Sequence, residues 1–128
     1  MDLEKFQKLY KKYSKLPLDR KIWDSELYEE YIEAINTSKE CSDYYLTMEL
    51  IKNKYDYTKN CCLDMAMAIS RGVNKRGKII YDDVDVVMRQ WEDGTIGIPV
   101  HDGGSSIIGI NYCPFCGAKL KNTDFENI

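Results

Sequence analysis

Histidine is almost absent from this sequence: among its 128 residues, His101 carries the single imidazole. Metal-dependent hydrolases draw their ligands and general bases largely from histidines and carboxylates, so one histidine leaves little for such a site. Basic residues show no excess either, because 18 lysines and arginines stand against 21 aspartates and glutamates, for a net charge of −3. Nucleic-acid-binding domains normally carry a basic face, and this balance disfavours nucleic acid as the partner.

Long apolar segments are also missing. No run approaches the roughly 20 residues that a membrane-spanning helix needs, and the start Met1-Asp2-Leu3-Glu4-Lys5 lacks the apolar core of a signal peptide. The five cysteines cannot all pair, and disulfides are rare in the cytosol. We therefore expect a cytoplasmic protein with no membrane segment, whose cysteines bind metal rather than form disulfides.

Glycine is confined to one part of the chain, since all eight glycines lie at residue 72 or later. Residues before about 60 show helical periodicity, and those after it contain short β-branched runs. This pattern predicts an α+β fold in which N-terminal helices pack on a small antiparallel β-sheet. We divide the chain into a helical module (1–59), an α+β domain (60–120) and a polar tail (121–128).

Four helices are predicted from apolar residues at helical spacing. They cover roughly residues 3–16, 20–35, 39–53 and a segment from Thr58 or Asn60 to Arg71. Pro17 ends the first helix, Asp19 caps the second, and Gly72 closes the fourth. Eight of the ten tyrosines precede residue 60, which fits either helix packing or a protein interface.

The glycine-bearing part predicts short strands. Residues 78–81, 95–100 and 106–112 are β-prone, whereas 83–87 fits either a strand or an acidic loop. The turn signal His101-Asp102-Gly103-Gly104 joins the last two strands into a hairpin. That hairpin leads directly to Cys113.

The segment Cys113-Pro114-Phe115-Cys116-Gly117 is typical of a zinc-ribbon-like knuckle, a tight turn that points two thiolates at one metal. Zinc favours four tetrahedral ligands, and Cys61-Cys62, near the predicted helix start, can supply two more. A helix N-terminus favours thiolates because its free amides and dipole stabilise negative charge. We predict a structural Zn²⁺ held by Cys61, Cys62, Cys113 and Cys116. Cys41 remains as a small buried residue.

Two adjacent ligands raise a geometric problem. Neighbouring side chains in a helix diverge by about 100°, so both cysteines reach one metal only if the first lies in a cap or loop. Otherwise one of them binds and His101 completes the set. The residues leave zinc and iron as alternative metals, and an all-thiolate shell leaves no position for a catalytic water.

Three motifs in fixed order resemble a family of small bacterial proteins without an assigned function. They are Cys61-Cys62-x-x-Met65, the segment 97–106 with its His-Asp-Gly-Gly-Ser-Ser turn, and the segment 112–120 with its Cys-Pro-x-Cys-Gly knuckle. The resemblance covers roughly residues 60–120 and supports the four-cysteine set. One departure is Asn60, where members of that family often carry histidine. The resemblance implies no activity.

These observations predict a non-enzymatic, zinc-binding protein-interaction module, such as an immunity protein or an inhibitor of a partner protein. A zinc-ribbon-type nucleic-acid-binding protein is the first alternative. It is supported by a local basic cluster of Arg71, Lys75, Arg76 and Lys78. A metal-dependent hydrolase using His101 and Asp102 is the second alternative, but Asp102-Gly103-Gly104 is also ordinary turn chemistry. We expect a protein partner, with no role for a membrane.

Overall fold

The computed structural model describes residues 1–15, 17–74, 76–80, 85–100 and 106–120. Its helices and three-stranded antiparallel sheet confirm the predicted α+β class. The helices are α1 (Leu3–Lys15), α2 (Arg20–Trp23), α3 (Glu26–Thr37), α4 (Lys39–Lys52) and α5 (Leu63–Ser70), with a 3-10 turn at Tyr57–Lys59. The strands are β1 (Arg89–Gln90), β2 (Ile96–Pro99) and β3 (Ile107–Gly109). The chain forms two compact units, a helical unit (Met1–Glu49) and a cysteine unit that begins at Leu50.

Aromatic side chains form the core of the helical unit. Helix α1 is amphipathic and buries a stripe that includes Phe6, Tyr10 and Tyr13. The Phe6 ring stacks on Tyr31 of α3, with ring centroids 4.8 Å apart. The Tyr10 hydroxyl donates a hydrogen bond of 2.8 Å to a carboxylate oxygen of Glu49. These tyrosines are buried and pack on other rings of the unit, so the packing interpretation holds for them.

The second predicted helix is interrupted, so the continuous helix over 20–35 was wrong. Asp19 caps its start as predicted, because its side chain accepts a hydrogen bond from the amide of Ile22. Ser25 then caps a new helix: its Oγ accepts from the amide of Tyr28 at 3.2 Å and donates to the carbonyl of Ile22. Serine is strongly preferred at the N-cap position of a helix, and here it separates α2 from α3.

The cysteine unit has its own small hydrophobic core. The buried cluster consists of Met65, Ala68, Ile69, Met88, Ile96, Cys113 and Leu120. Helix α5 contributes three of these residues and begins at Leu63, a few residues later than predicted, because Cys62 takes the capping position. One of the predicted metal ligands, Cys113, is therefore part of the core itself.

The predicted hairpin is confirmed. Strand β2 lies between β1 and β3, with Gly97 opposite Gly109 and Ile98 opposite Ile108. A Cβ atom added to Gly97 would lie 2.3 Å from Ile107 side-chain atoms, which explains glycine at this position. The predicted strand over 78–81 was wrong for its described part, because Ile79 forms an isolated bridge instead of a strand.

Several predictions concern residues outside the described ranges. They include His101, Asp102, the residues 81–84 and the tail after residue 120. The sequence-based division at residue 60 lies within the cysteine unit. Over the described part of the chain, every helix is too short or too polar to cross a membrane.

Candidate metal centre

The knuckle that carries Cys113 and Cys116 is closed by its own backbone. Tyr112 and Lys119 form an antiparallel bridge, and the Cys113 amide donates to the carbonyl of Ala118 at 2.8 Å. The Gly117 amide donates back to the carbonyl of Cys113, and Gly117 has a φ of 79°. That left-handed conformation favours glycine. The Cys-Pro-Phe-Cys-Gly sequence thus folds as the tight turn that its composition predicts.

The turn also prepares one sulfur to carry negative charge. The amides of Phe115 and Cys116 both point at Cys113 Sγ, at 3.4 and 3.5 Å. Hydrogen bonds from amides stabilise a thiolate relative to a thiol. Cys113 is 2% exposed, whereas Cys116 at the end of the turn is exposed to solvent. The turn therefore presents one buried and one accessible thiol.

The other two cysteines lie at the start of α5, and their backbone resolves the problem of adjacency. Cys62 is the N-cap, with extended backbone (φ −154°, ψ 166°), and its Sγ accepts a hydrogen bond of 3.4 Å from the amide of Met65. Cys61 precedes the cap and lies outside the helix. Neither cysteine is inside a helical turn, so the 100° divergence expected there does not apply.

The four sulfurs converge on one point. Cys61 Sγ and Cys116 Sγ are 3.5 Å apart, and Cys62 Sγ and Cys113 Sγ are 3.8 Å apart. All four ligand atoms lie within 4.8 Å of one another. A disulfide needs about 2.05 Å, so the four are free thiols. Tetrahedral zinc with Zn–S bonds of about 2.3 Å requires sulfurs about 3.8 Å apart, and the two measured distances fit this spacing.

The surroundings of the clustered cysteines shift their pKa values in opposite directions. Desolvation and a thiol hydrogen bond with Cys116 raise the pKa of Cys61, and desolvation likewise raises the pKa of Cys62. At Cys113 burial also acts to raise the pKa, but hydrogen bonds from two amides and from the neighbouring thiols together outweigh it, so its pKa lies below the ordinary value. A divalent metal would displace the retained protons and offset two of the four negative charges.

A chain of hydrogen bonds supports the segment before the paired cysteines. The Tyr55 hydroxyl donates to Asn60 Oδ1 at 2.6 Å, and Asn60 Nδ2 donates to Gln90 Oε1 at 3.3 Å. Asn60, the one departure noted in the sequence resemblance, thus links Tyr55 to Gln90 of β1. Sequence patterns give no signal for this chain of contacts, because its members are unremarkable polar residues in separate segments.

The structure brings together all four cysteines that the sequence singled out. Cys41 lies apart from them, buried at 1% exposure in the helical unit, as expected for a leftover thiol. His101 and Asp102 fall outside the described residues, so both alternatives that involve them stay predictions.

Comparison with known proteins gives one match. Residues 59–127 match the family model described as a domain of unknown function, DUF6980. This agrees with the expected resemblance to an uncharacterised family and covers more than half of the chain, including all four clustered cysteines. No curated protein and no solved structure matches the chain.

Proposed function

The chain belongs to the DUF6980 family of domains of unknown function. We propose that it is a module whose fold is stabilised by zinc and which binds another protein. One observation carries the metal part of this proposal: four cysteine sulfurs from two distant segments lie within 4.8 Å of one another. Four cysteine sulfurs at this spacing repel one another once they are ionised. A bound cation would reduce this repulsion, which explains why the four lie together.

Zinc suits this site better than harder cations. All four ligands are sulfurs, and soft thiolates select zinc, copper(I) or iron rather than magnesium or calcium. Two sulfur pairs already have the spacing of a tetrahedron around zinc. Cys61, Cys62, Cys113 and Cys116 would hold the ion, joining the start of α5 to the end of the hairpin.

The chemistry of this ligand set favours a structural role. A catalytic zinc keeps one position open for water or substrate, whereas four thiolates complete the shell. The donated charge of four thiolates also lowers the Lewis acidity of the ion. We therefore assign the domain a non-enzymatic role in which the metal maintains surfaces that act by binding, in a compartment that keeps thiols reduced, such as the cytoplasm.

An exposed apolar surface on the hairpin provides a binding site for a protein. We call it the hairpin face, and it consists of Ile98, Val100 and Ile108. Ile98 and Ile108 lie opposite each other across β2 and β3, and Val100 follows Ile98 by two residues, which places it on the same side. All three are exposed, Ile108 at 58%. Exposed apolar patches of this kind mark protein contacts.

The proposed partner is a protein with a complementary apolar surface, as in an immunity protein or an inhibitor. Immobilised wild-type protein should retain such a partner from an extract of the native host, and Ile108→Lys should lose it. Because Ile108 is already exposed, this variant should keep its fold and its melting temperature. Mass spectrometry of the retained proteins identifies the partner and compares its amount between variants.

Val87→Lys is the matched control. Val87 is 56% exposed, lies in the same unit and receives the same change of charge, but it is not part of the hairpin face. Equal retention by all three proteins would refute the hairpin face as the binding surface. Retention of nucleic acid alone, weakened by added salt, would refute the protein-binding role and support the alternative of a nucleic-acid-binding protein.

A further inference from the structure

A cleft on the cysteine unit lies apart from the four cysteines. It is lined by residues of the α4 terminus and the 3-10 turn and by residues that follow α5, and it encloses about 580 Å³. This is within the range of pockets that hold small molecules, roughly 300–1,000 Å³. Tyr55 forms part of the wall, with Lys59 Nζ 4.7 Å from the centre of its ring. We call this cavity the basic cleft.

The charge of the basic cleft is opposite to that of the chain. Lys54, Lys59 and Arg71 line it together with one carboxylate, Asp56. Three positive charges and one negative charge leave a local charge of +2, although the whole chain carries −3. The Asp56 carboxylate accepts hydrogen bonds from the amide and hydroxyl of Thr58, so it is already engaged within the 3-10 turn.

Lys54 occupies a backbone position that disfavours lysine. Its φ is 59°, in the left-handed region, and it stands at the glycine position of a helix C-terminal motif. The Tyr55 amide donates to the carbonyl of Leu50, and the Lys54 amide donates to the carbonyl of Ile51. Glycine or asparagine would fit this turn with less strain. Lysine at this position therefore carries a cost in stability, and it places a charged side chain at the wall of the cleft.

The helix ends beside the cleft do not explain all three cations. Lysines and arginines near helix C-termini often balance exposed carbonyls. Here the last carbonyls of α4 accept from Lys54 and Tyr55, and those of α5 accept from the amides of Arg71, Gly72 and Val73. These carbonyls are satisfied by backbone donors, so they do not need the charged side chains that line the cleft to balance them.

We propose that the basic cleft binds a small molecule carrying a phosphate monoester. A phosphate monoester carries a charge of about −1.5 to −2 near neutral pH, which matches the local charge of +2. The arginine fork of Arg71 suits paired phosphate oxygens, and lysines bind phosphate as point charges. The volume leaves room for an organic group beside the phosphate. This proposal does not depend on the metal or on the hairpin face.

Calorimetric titration of the full chain with AMP, adenosine and inorganic phosphate at low salt tests the proposal. AMP should bind with one site per chain, and adenosine should not bind. Equal affinity for AMP and inorganic phosphate would assign the site to phosphate itself, whereas tighter AMP binding would show that the organic group is also recognised. No binding of either phosphate compound would overturn the proposal. Binding of a single-stranded oligonucleotide without binding of AMP or phosphate would also overturn it.

Lys54→Gly is the decisive variant because it separates binding from folding. Removal of the strained conformation should raise the melting temperature, while loss of one charged contact should weaken AMP binding roughly tenfold. Lys52→Gln is the matched control, since Lys52 is exposed on the same segment but does not line the cleft. Unchanged affinity in Lys54→Gly, or an equal loss in Lys52→Gln, would refute the assignment to this cleft.

Discussion

Replacement of one clustered cysteine should cost the cysteine unit its metal and its folded state. Cys113→Ser is the sharpest change, because serine keeps the shape of the side chain but replaces the least exposed of the four clustered sulfurs with a hydroxyl. Structural zinc sites contribute an apparent free energy of about 10–16 kcal/mol near neutral pH. Loss of one ligand in four should abolish most of this contribution.

The hydrophobic core of the unit cannot compensate for that loss. Its buried cluster contains five large apolar side chains, namely Met65, Ile69, Met88, Ile96 and Leu120. At about 2 kcal/mol for each buried side chain, their burial contributes about 10 kcal/mol before any entropy cost. The metal would therefore contribute as much as this buried cluster, while domains of this size are stable by only about 5–15 kcal/mol. We expect Cys113→Ser to leave the cysteine unit unfolded.

Three measurements check this prediction. Elemental analysis should find one zinc per wild-type chain and none in Cys113→Ser. Cobalt(II) should give the visible absorption of a tetrahedral thiolate site in the wild type. Hydrogen exchange should show loss of protection in α5 and in β1–β3, both in the variant and after chelation of the wild type.

Cys41→Ala is the matched control for this experiment. Cys41 is buried in the helical unit, away from the cluster, so this variant should keep one zinc per chain although it leaves a small cavity. The reasoning is refuted if Cys113→Ser keeps its zinc, or if the chelated wild type keeps its exchange protection and melting temperature.

Two further predictions concern stability. Gly97→Ala should lower the free energy of unfolding by about 2 kcal/mol, because the added methyl group would lie 2.3 Å from Ile107 and 2.6 Å from a backbone oxygen; an unchanged denaturation midpoint would contradict this. Burial and the hydrogen bond to Glu49 raise the pKa of Tyr10 to about 12. Its contribution is fully present below pH 10 and is lost as the pH rises from 10 to 12, since the unfolded tyrosine ionises first; a Tyr10→Phe variant with the same pH dependence would refute the assignment.

Local chemistry explains which parts of the fold are readable from the sequence. Asp19 predicts a helix start because its side chain replaces a missing backbone partner within three residues. The hairpin is readable for the same reason, since strand alternation and a glycine-rich turn are local signals. The break at Ser25 arises because this serine caps a new helix within a continuous apolar stripe. Hydrophobic periodicity alone does not show whether such a serine interrupts the helix.

The candidate metal site is more predictable than the basic cleft for a physical reason. Cysteine is rare, and its thiolate chemistry restricts what four cysteines in one reduced domain can do. Lysine is common and usually solvated, so Lys54 and Lys59 give no signal until the chain folds. The left-handed conformation of Lys54 results from the turn that ends α4. A glycine at this position would predict that turn from the sequence, whereas a lysine does not.

The metal site and the hairpin face are linked through a short stretch of backbone. The Ile110 amide, just after β3, donates to the carbonyl of Ile96, and the Leu120 amide after the knuckle donates to the carbonyl of Asn111. The same ladder that places Ile98 opposite Ile108 thus continues into the turn that holds Cys113. Strands of three or four residues have little stability of their own, so a metal bound at the proposed site would stabilise the turn and with it the register of the hairpin. In the proposed function, a closed thiolate shell would therefore affect binding by holding the hairpin in place, without touching the partner.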